Sequence, residues 1–477
     1  MKMIDKASFR DPSGYVYHTE EGVFRKINIR YKTHYDLLIS SGLYQQLVDN
    51  EWLVQHEEIN HKNDFTESFY KVIKPELIPF ISYPYEWCFS QLKDAAILTL
   101  EIQKTALKFN MSLKDASAYN IQFLRGKPVL IDTLSFEKYN ENQPWQAYKQ
   151  FCEFFLGPLS LMSFVDHRTV LLLKNFINGI PLDLISNLLP FYAKLKIGIY
   201  LHLILHSKYN NRYTFDKKND HFIKSGSLSK KSLIHLIENL LNTVKDLQLC
   251  KYKTEWFEYY EIGVANDDYL VHKETIISDF VRFVNPSFVY DIGANDGKFS
   301  RLEALRNSNV ISIDSDWRCV EENYNCAKKS GLKNLLSLFI DVTNPSPGLG
   351  WSNNERKSFF NCNEQLFSFT NTRVLITDST VCHLTLALAL IHHLVITNNI
   401  PLEKISEFFA LNTDWLIIEF VPKEDEKVKF LLRNREDIFF EYSDIGFEFA
   451  FRKHFTILNC IKVNGTSRSM YLMRKIK

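Results

Sequence analysis

Apolar and polar positions alternate, cluster and repeat differently in the two halves of this chain. From Ser13 to Ile29 apolar residues alternate around Gly22, which predicts a β-hairpin. Helical spacing follows from Tyr35 to Asp49, then short strands around Trp52 to Gln55 and Phe69 to Ile73. Gln91 to Phe109 predicts a long helix with Leu92, Ala95, Ala96, Thr99, Ile102, Ala106 and Phe109 near one face. A second hairpin turns at Gly126, and Pro144 to His206 is apolar and helical. In the carboxyl-terminal half a helix from Tyr269 to Val284 leads into the strand Phe288 to Tyr290. Further strands are predicted at Val310–Ile313, Leu335–Ile340, Leu384–Leu390 and Trp415–Pro422. Leu384–Leu390 is a near-continuous apolar run, the pattern of a strand buried on both faces of a parallel sheet. Phe447 to Phe455, Phe455 to Val463 and Ser469 to Met473 suit a closing antiparallel pair.

Length and composition narrow this picture. At 477 residues the chain is too long for one ordinary domain. The stretch Lys224 to Lys231 has the most linker-like composition, and the predicted division is 1–140, 141–250 and 251–477. A net charge of +1 argues against duplex nucleic acid or an anionic membrane as partner. Eight cysteines without a C-x-x-C pair signal neither a zinc site nor a disulfide framework, so reduced thiols and a cytoplasmic location are expected. No run approaches the roughly 20 apolar residues of a membrane span.

Candidate chemistry concentrates after Phe288. The sequence Asp291-Ile292-Gly293-Ala294-Asn295-Asp296-Gly297 follows a strand and precedes a helical pattern from Phe299 to Leu305. Gly293 and Gly297 lack a Cβ, so a ligand can lie against bare backbone. A dinucleotide pyrophosphate wants glycine where Asn295 stands, which disfavours that ligand. The stretch resembles the first motif of class I methyltransferases dependent on S-adenosylmethionine (SAM), D-x-G-x-x-x-G, and a structural turn of another α/β fold is the alternative. Two more strands end in acids. Asp314 lies about two dozen residues after Asp291, the separation of a ribose-binding carboxylate, with Asp316 a nearby rival. Asp341 is placed to accept from the adenine amino group. His392 and His393 follow the fourth strand; one is a candidate general base for an oxygen nucleophile, and one of the pair is expected to pack inward. Glu419, near the tip of the fifth strand, either orients substrate or a histidine or belongs to a structural ion pair. The polar stretch Thr343 to Asn371 reads either as a lid or as an insertion.

The amino-terminal half carries a second pattern. Hairpin, helix, strands, a long helix, Asp115-Ala116-Ser117-Ala118-Tyr119-Asn120, a hairpin and Asp132 follow in an order that resembles the protein-kinase and aminoglycoside-phosphotransferase fold. That likeness implies a catalytic base at Asp115 and magnesium with ATP at Asn120 and Asp132. The sequence departs from it in lacking a glycine-rich phosphate loop, and Thr133-Leu134 stands where kinases carry Phe-Gly. A capped loop and hairpin is the alternative.

Taken together, Val289–Ser300, Asp314, Ala387–Leu394 and Ile417–Pro422 downstream of Asp115–Asn120 resemble a bacterial family of methyltransferases related to host-specific nodulation proteins. The resemblance implies an α/β fold with a doubly wound, seven-stranded, Rossmann-like sheet, preceded by an α+β kinase-like region with a helical extension. It implies SAM as cofactor with a carbohydrate or other small-molecule acceptor, and leaves the acceptor open; the histidine pair points to transfer at oxygen, and in-line methyl transfer requires no metal. A phosphotransferase with a SAM-binding appendage, or a non-catalytic SAM sensor, are the competing classes.

Overall fold

The computed structural model describes residues 3–19, 21–59, 69–208, 229–249, 267–360, 373, 382–433 and 435–476. Much of the expected linker (224–228), the aromatic stretch from 256 to 266 and most of 361–381 therefore lie outside the described residues. The chain forms two compact units, Met1–Lys251 with Gly348–Lys357, and Tyr252–Pro347 with Ser358–Lys477. No helix among the described residues is long and apolar enough to cross a membrane.

The first unit is α+β. Strands β1 (Met3–Ile4), β2 (Gly14–Thr19), β3 (Gly22–Asn28), β4 (His56–Ile59) and β5 (Phe69–Pro75) form an antiparallel sheet in the order β1-β2-β3-β5-β4. The expected helix over Tyr35–Asp49 is two, Lys32–Ser40 and Leu43–Asp49, because Gly42 takes φ +85° between them. The expected strand at Trp52–Gln55 is also displaced: Leu53 makes only a bridge to Leu130, and β4 begins at His56. The helix Phe89–Lys108 packs against the small pairs β6 (Met111–Leu113) with β9 (Phe136–Lys138) and β7 (Ile121–Leu124) with β8 (Lys127–Leu130). Short helical segments follow between residues 148 and 205, then the helix Lys230–Asp246, capped by Ser229.

The second unit holds a seven-stranded sheet of β10 (Phe288–Ile292), β11 (Asn309–Asp314), β12 (Leu335–Phe339), β13 (His383–Ala387), β14 (Trp415–Phe420), β15 (Phe455–Lys462) and β16 (Ser469–Lys475). Their order is β12-β11-β10-β13-β14-β16-β15, with β10 to β14 parallel and the β15–β16 pair antiparallel. This is the class I methyltransferase sheet that the sequence implies. Every residue of β10 and β12 is buried, and Val289, Val310, Leu335, Leu384, Ile417 and Leu472 join one core with the helix Asp267–Val284. Each such side chain contributes about 1.5–3 kcal/mol by leaving water. Strand order runs outward in both directions from between β10 and β13. A sheet built so opens a crevice at the carboxyl ends of those strands.

Three expectations need correction here. Phe299–Leu305 is not one helix but two short turns, Phe299–Arg301 and Glu303–Leu305, because Leu302 is extended at ψ 141° between them. β13 stops at Ala387 rather than Leu390, and the chain swings out through Ala389 at φ +50°. Phe447–Phe455 is not a strand: Asp444–Phe451 is a helix. Ser443 caps it at the Gly446 N–H, and Phe447 and Phe451, one turn apart, pack against each other with tilted rings; Phe447 also packs on Phe420 and Tyr471.

Candidate active site

The loop after β10 builds the crevice wall. Gly293 and Ala294 donate their N–H groups to the Ile313 carbonyl at 3.0 and 3.1 Å, which lays the loop across the end of β11. Gly293 (φ +74°), Asn295 (φ +53°) and Gly297 (φ +77°) take left-handed backbone in close succession. The two glycines serve different ends. Gly293 lines the crevice, where an added Cβ would stand 3.2 Å from Leu390. Gly297 faces the helix Trp317–Lys329 instead; an added Cβ would fall 2.0 Å from Asn323 Oδ1. Asn323 in turn donates to Ser312 Oγ at 2.8 Å, so the loop, the helix and β11 are locked together.

The crevice itself encloses about 300 Å³ between Gly293 and Asn295, Asp314 and Ser315, Asp341 to Thr343, Leu388 to Leu390, and His393 with Leu394. Asp314 Oδ2 accepts from the Asn295 N–H at 2.7 Å and Oδ1 from the Asp316 N–H at 2.8 Å. With the Ser315 N–H as a third backbone donor close by, the carboxylate, which has about four lone-pair positions, keeps acceptor capacity toward the crevice. Burial pushes the Asp314 carboxyl up to about 6, against the opposing pull of those backbone donors. Asp316, the rival, is spent as the cap of the helix Trp317–Lys329, accepting from the Arg318 N–H at 2.9 Å. Asp341 holds Thr343 through its N–H at 2.8 Å and its hydroxyl at 2.7 Å. Ala389, a non-glycine residue in left-handed backbone, stands on the opposite wall, and such strain concentrates at functional sites.

Other sequence candidates stand elsewhere. Asp291 is fully buried behind the loop, receives Ser300 Oγ at 2.5 Å, and does not line the crevice; burial raises it to about 6. The histidine pair divides. His392 is wholly buried with neither ring nitrogen hydrogen-bonded, whereas His393 reaches the crevice wall. Burial, with Arg468 and Lys427 nearby, lowers His393 to about 4, so it is neutral at physiological pH. Glu419 is not on the crevice either. It is fully buried, takes Lys273 Nζ at 2.5 Å and the Tyr269 hydroxyl at 3.0 Å, and has Arg468 at 3.5 Å. It thus lies in a buried ion pair with Lys273. Sequence reading missed Lys273, although a lysine among Tyr269, Ile276, Ile277 and Phe280 on the buried side of one helix signals a buried partner.

In the first unit Asp115, Asn120 and Asp132 come from one loop and the hairpin that follows it, but their groups are engaged. Asp132 Oδ1 meets Arg25 at 2.5 Å and the Leu134 N–H at 2.9 Å, and its Oδ2 accepts from Ser135 Oγ at 2.6 Å. The Asn120 amide donates to Ser135 at 3.3 Å, and Asp115 Oδ1 accepts from the Ser117 N–H at 2.9 Å and from Gln150 at 2.8 Å. A guanidinium on the very carboxylate that magnesium would need does not fit the metal reading. No group of three or more His, Cys, Asp or Glu that could hold a metal occurs among the described residues.

No family model matches the chain. It is 31% identical over 477 residues to the nodulation protein NoeA of Rhizobium meliloti (strain 1021), covering 98% of this chain and 95% of that protein. A stretch of 136 residues is 27% identical to the tRNA (guanine-N(7)-)-methyltransferase of Campylobacter fetus subsp. fetus (strain 82-40), covering 27% of this chain and 33% of that one. Among solved structures, magnesium protoporphyrin IX methyltransferase from Synechocystis PCC 6803 with bound SAM covers 46% of this chain and 89% of its own, at 15% identity and TM-score 0.29. The bifunctional kinase-methyltransferase WbdD covers 46% of this chain and 43% of its own, at 13% identity and TM-score 0.30. The fold assignment rests on the strand order of the sheet.

Proposed function

This chain belongs to the family of the nodulation protein NoeA and has a class I methyltransferase sheet, and from there we propose that it transfers a methyl group from SAM to a hydroxyl oxygen of a small-molecule or carbohydrate acceptor. The observation that carries the reading is the crevice at the switch point of the sheet. There bare backbone at Gly293, the carboxylates of Asp314 and Asp341, and neutral His393 converge from four separate segments.

SAM supplies, when bound, a methyl group on a sulfonium centre that an oxygen can attack in line. The chain's own residues do the rest. Asp314 receives the two ribose hydroxyls, and Asp341 receives the adenine amino group. The open backbone at Gly293 gives room for the amino acid part. His393 takes the proton that the acceptor hydroxyl loses as its oxygen bonds to carbon. Most of the rate comes from holding that oxygen behind the methyl carbon, with general-base assistance of roughly 10²–10⁴-fold added to it. His393→Asn is therefore expected to lower kcat by about that factor while raising KM for SAM far less, measured with radiolabelled SAM on an acceptor found by screening hydroxylated small molecules and sugars. An unchanged kcat removes His393 from the role.

The two titrating groups separate in pH. Asp314 rests near 6 and His393 near 4. As pH falls through about 6 the Asp314 carboxyl takes a proton and loses acceptor capacity, so KM for SAM rises. His393 remains a neutral base until pH approaches 4, so kcat falls later. Initial rates from pH 8 to pH 4.5 check this, and a kcat that drops together with affinity near pH 6 contradicts it.

For the amino-terminal unit we propose recognition of acceptor or partner rather than phosphoryl transfer. The kinase-like order of its elements supports the resemblance, and Arg25 seated on Asp132 supports the loss of metal chemistry.

A further inference from the structure

A second and larger cavity opens in the methyltransferase unit, about 660 Å³, within the roughly 300–1,000 Å³ of small-molecule sites. Its walls are the first turns of the helix Asp267–Val284, residues 424–427 after β14, and the turn from Asn464 to Arg468 between β15 and β16. Phe420, the last residue of β14, pairs with Ser469, the first of β16. The cavity therefore lies past the carboxyl end of β14, on the same edge of the sheet as the cofactor crevice. The chain packing links the two: the helix Glu426–Leu432, whose first residues line this cavity, packs against the segment His393–Thr397, which lines the crevice.

Its floor is built and neutralised from within. Arg468 is almost fully buried, donates to Asp425 at 2.7 and 3.2 Å, and reaches the Tyr269 hydroxyl at 3.2 Å. The floor thus needs no counter-ion from a ligand. The rim adds Asp268, Glu424, His272, Thr466 and Ser467, groups that give and take hydrogen bonds with hydroxyls. Four carboxylates in the lining face two permanent cations, Lys427 and Arg468, so a phosphate-bearing ligand meets net repulsion.

We infer that this cavity is the acceptor site, and that the acceptor is an uncharged polyhydroxylated molecule rather than a phosphorylated or nucleic-acid one. The inference rests on the methyltransferase reading above. An uncharged sugar satisfies the polar lining through its hydroxyls, loses no charge hydration on entry, and sits on the same edge of the sheet as His393.

The test uses the full chain saturated with S-adenosylhomocysteine, with saturation-transfer NMR on two probes, methyl β-D-glucoside and glucose 6-phosphate. Glu424→Lys and Ser467→Trp, both at exposed positions, provide the controls. The expected result is transfer to the glucoside but not to the phosphosugar in the wild type. Ser467→Trp should reduce the glucoside signal at least fivefold, and Glu424→Lys should raise the phosphosugar signal, with S-adenosylhomocysteine affinity within twofold in both. Cofactor binding without any glucoside signal, a glucoside signal that survives Ser467→Trp, or a preference for glucose 6-phosphate in the wild type overturns the inference and leaves the methyltransferase reading standing. Absence of cofactor binding by the wild type sinks that reading and this inference with it.

Discussion

Asp314→Ala is expected to weaken binding of S-adenosylhomocysteine by at least about 100-fold. A hydrogen bond to a charged group is worth roughly 1.5–3 kcal/mol, and the variant removes the acceptor of two ribose hydroxyls. It also releases the Asn295 and Asp316 N–H groups, which Asp314 holds at 2.7 and 2.8 Å. The loop at Asn295 sits in left-handed backbone at φ +53°, so losing that tether adds to the loss. Asp314→Asn keeps a carbonyl acceptor and should fall between the two. Calorimetric titration of variants that remain folded by circular dichroism measures both. Affinity within threefold of wild type in Asp314→Ala would remove the carboxylate from the ribose.

Lys273→Met should be the most destabilising of these substitutions. Glu419 has no exposed surface, and Lys273 is its nearest cation at 2.5 Å, with Arg468 farther at 3.5 Å and shared with Asp425. Burial by itself pushes the Glu419 carboxyl up; Lys273 and Arg468 more than offset it and hold it below its ordinary value. A depressed carboxylate contributes stability that is present at neutral pH and is lost as pH falls through its folded pKa. Removing one partner of a buried pair costs about 3–5 kcal/mol, because the other charge is left uncompensated. The double variant Lys273→Met with Glu419→Gln should recover much of that loss. Denaturant unfolding followed by signals from the second unit distinguishes the cases, and a Lys273→Met midpoint equal to wild type would contradict the account.

The carboxyl-terminal fold was legible because its signals are strong and local. Strands buried on both faces read as apolar runs, and crevice-lining carboxylates stand where those runs end, at Asp314 and just beyond β12 at Asp341. The roles within the motif were less legible. Asp291 and Gly297 are as prominent in sequence as Gly293, yet one is tied to Ser300 inside the core and the other packs on Asn323. Only the path of the loop across β11 decides which residues face outward. Phe447 to Phe451 read as strand because dense aromatics mask a helical period. In the first unit the spacing from Asp115 to Asn120 gives the loop, but the occupant of Asp132 comes from β3, more than a hundred residues earlier. Pairings at that distance leave no local mark.

The most direct measurement is a calorimetric titration of the full-length wild-type chain with S-adenosylhomocysteine near pH 7.5. One site of micromolar affinity, competed by SAM, is the predicted result. A well-folded protein that gives no binding heat at several temperatures, and no shift in its unfolding midpoint with millimolar ligand, would contradict it.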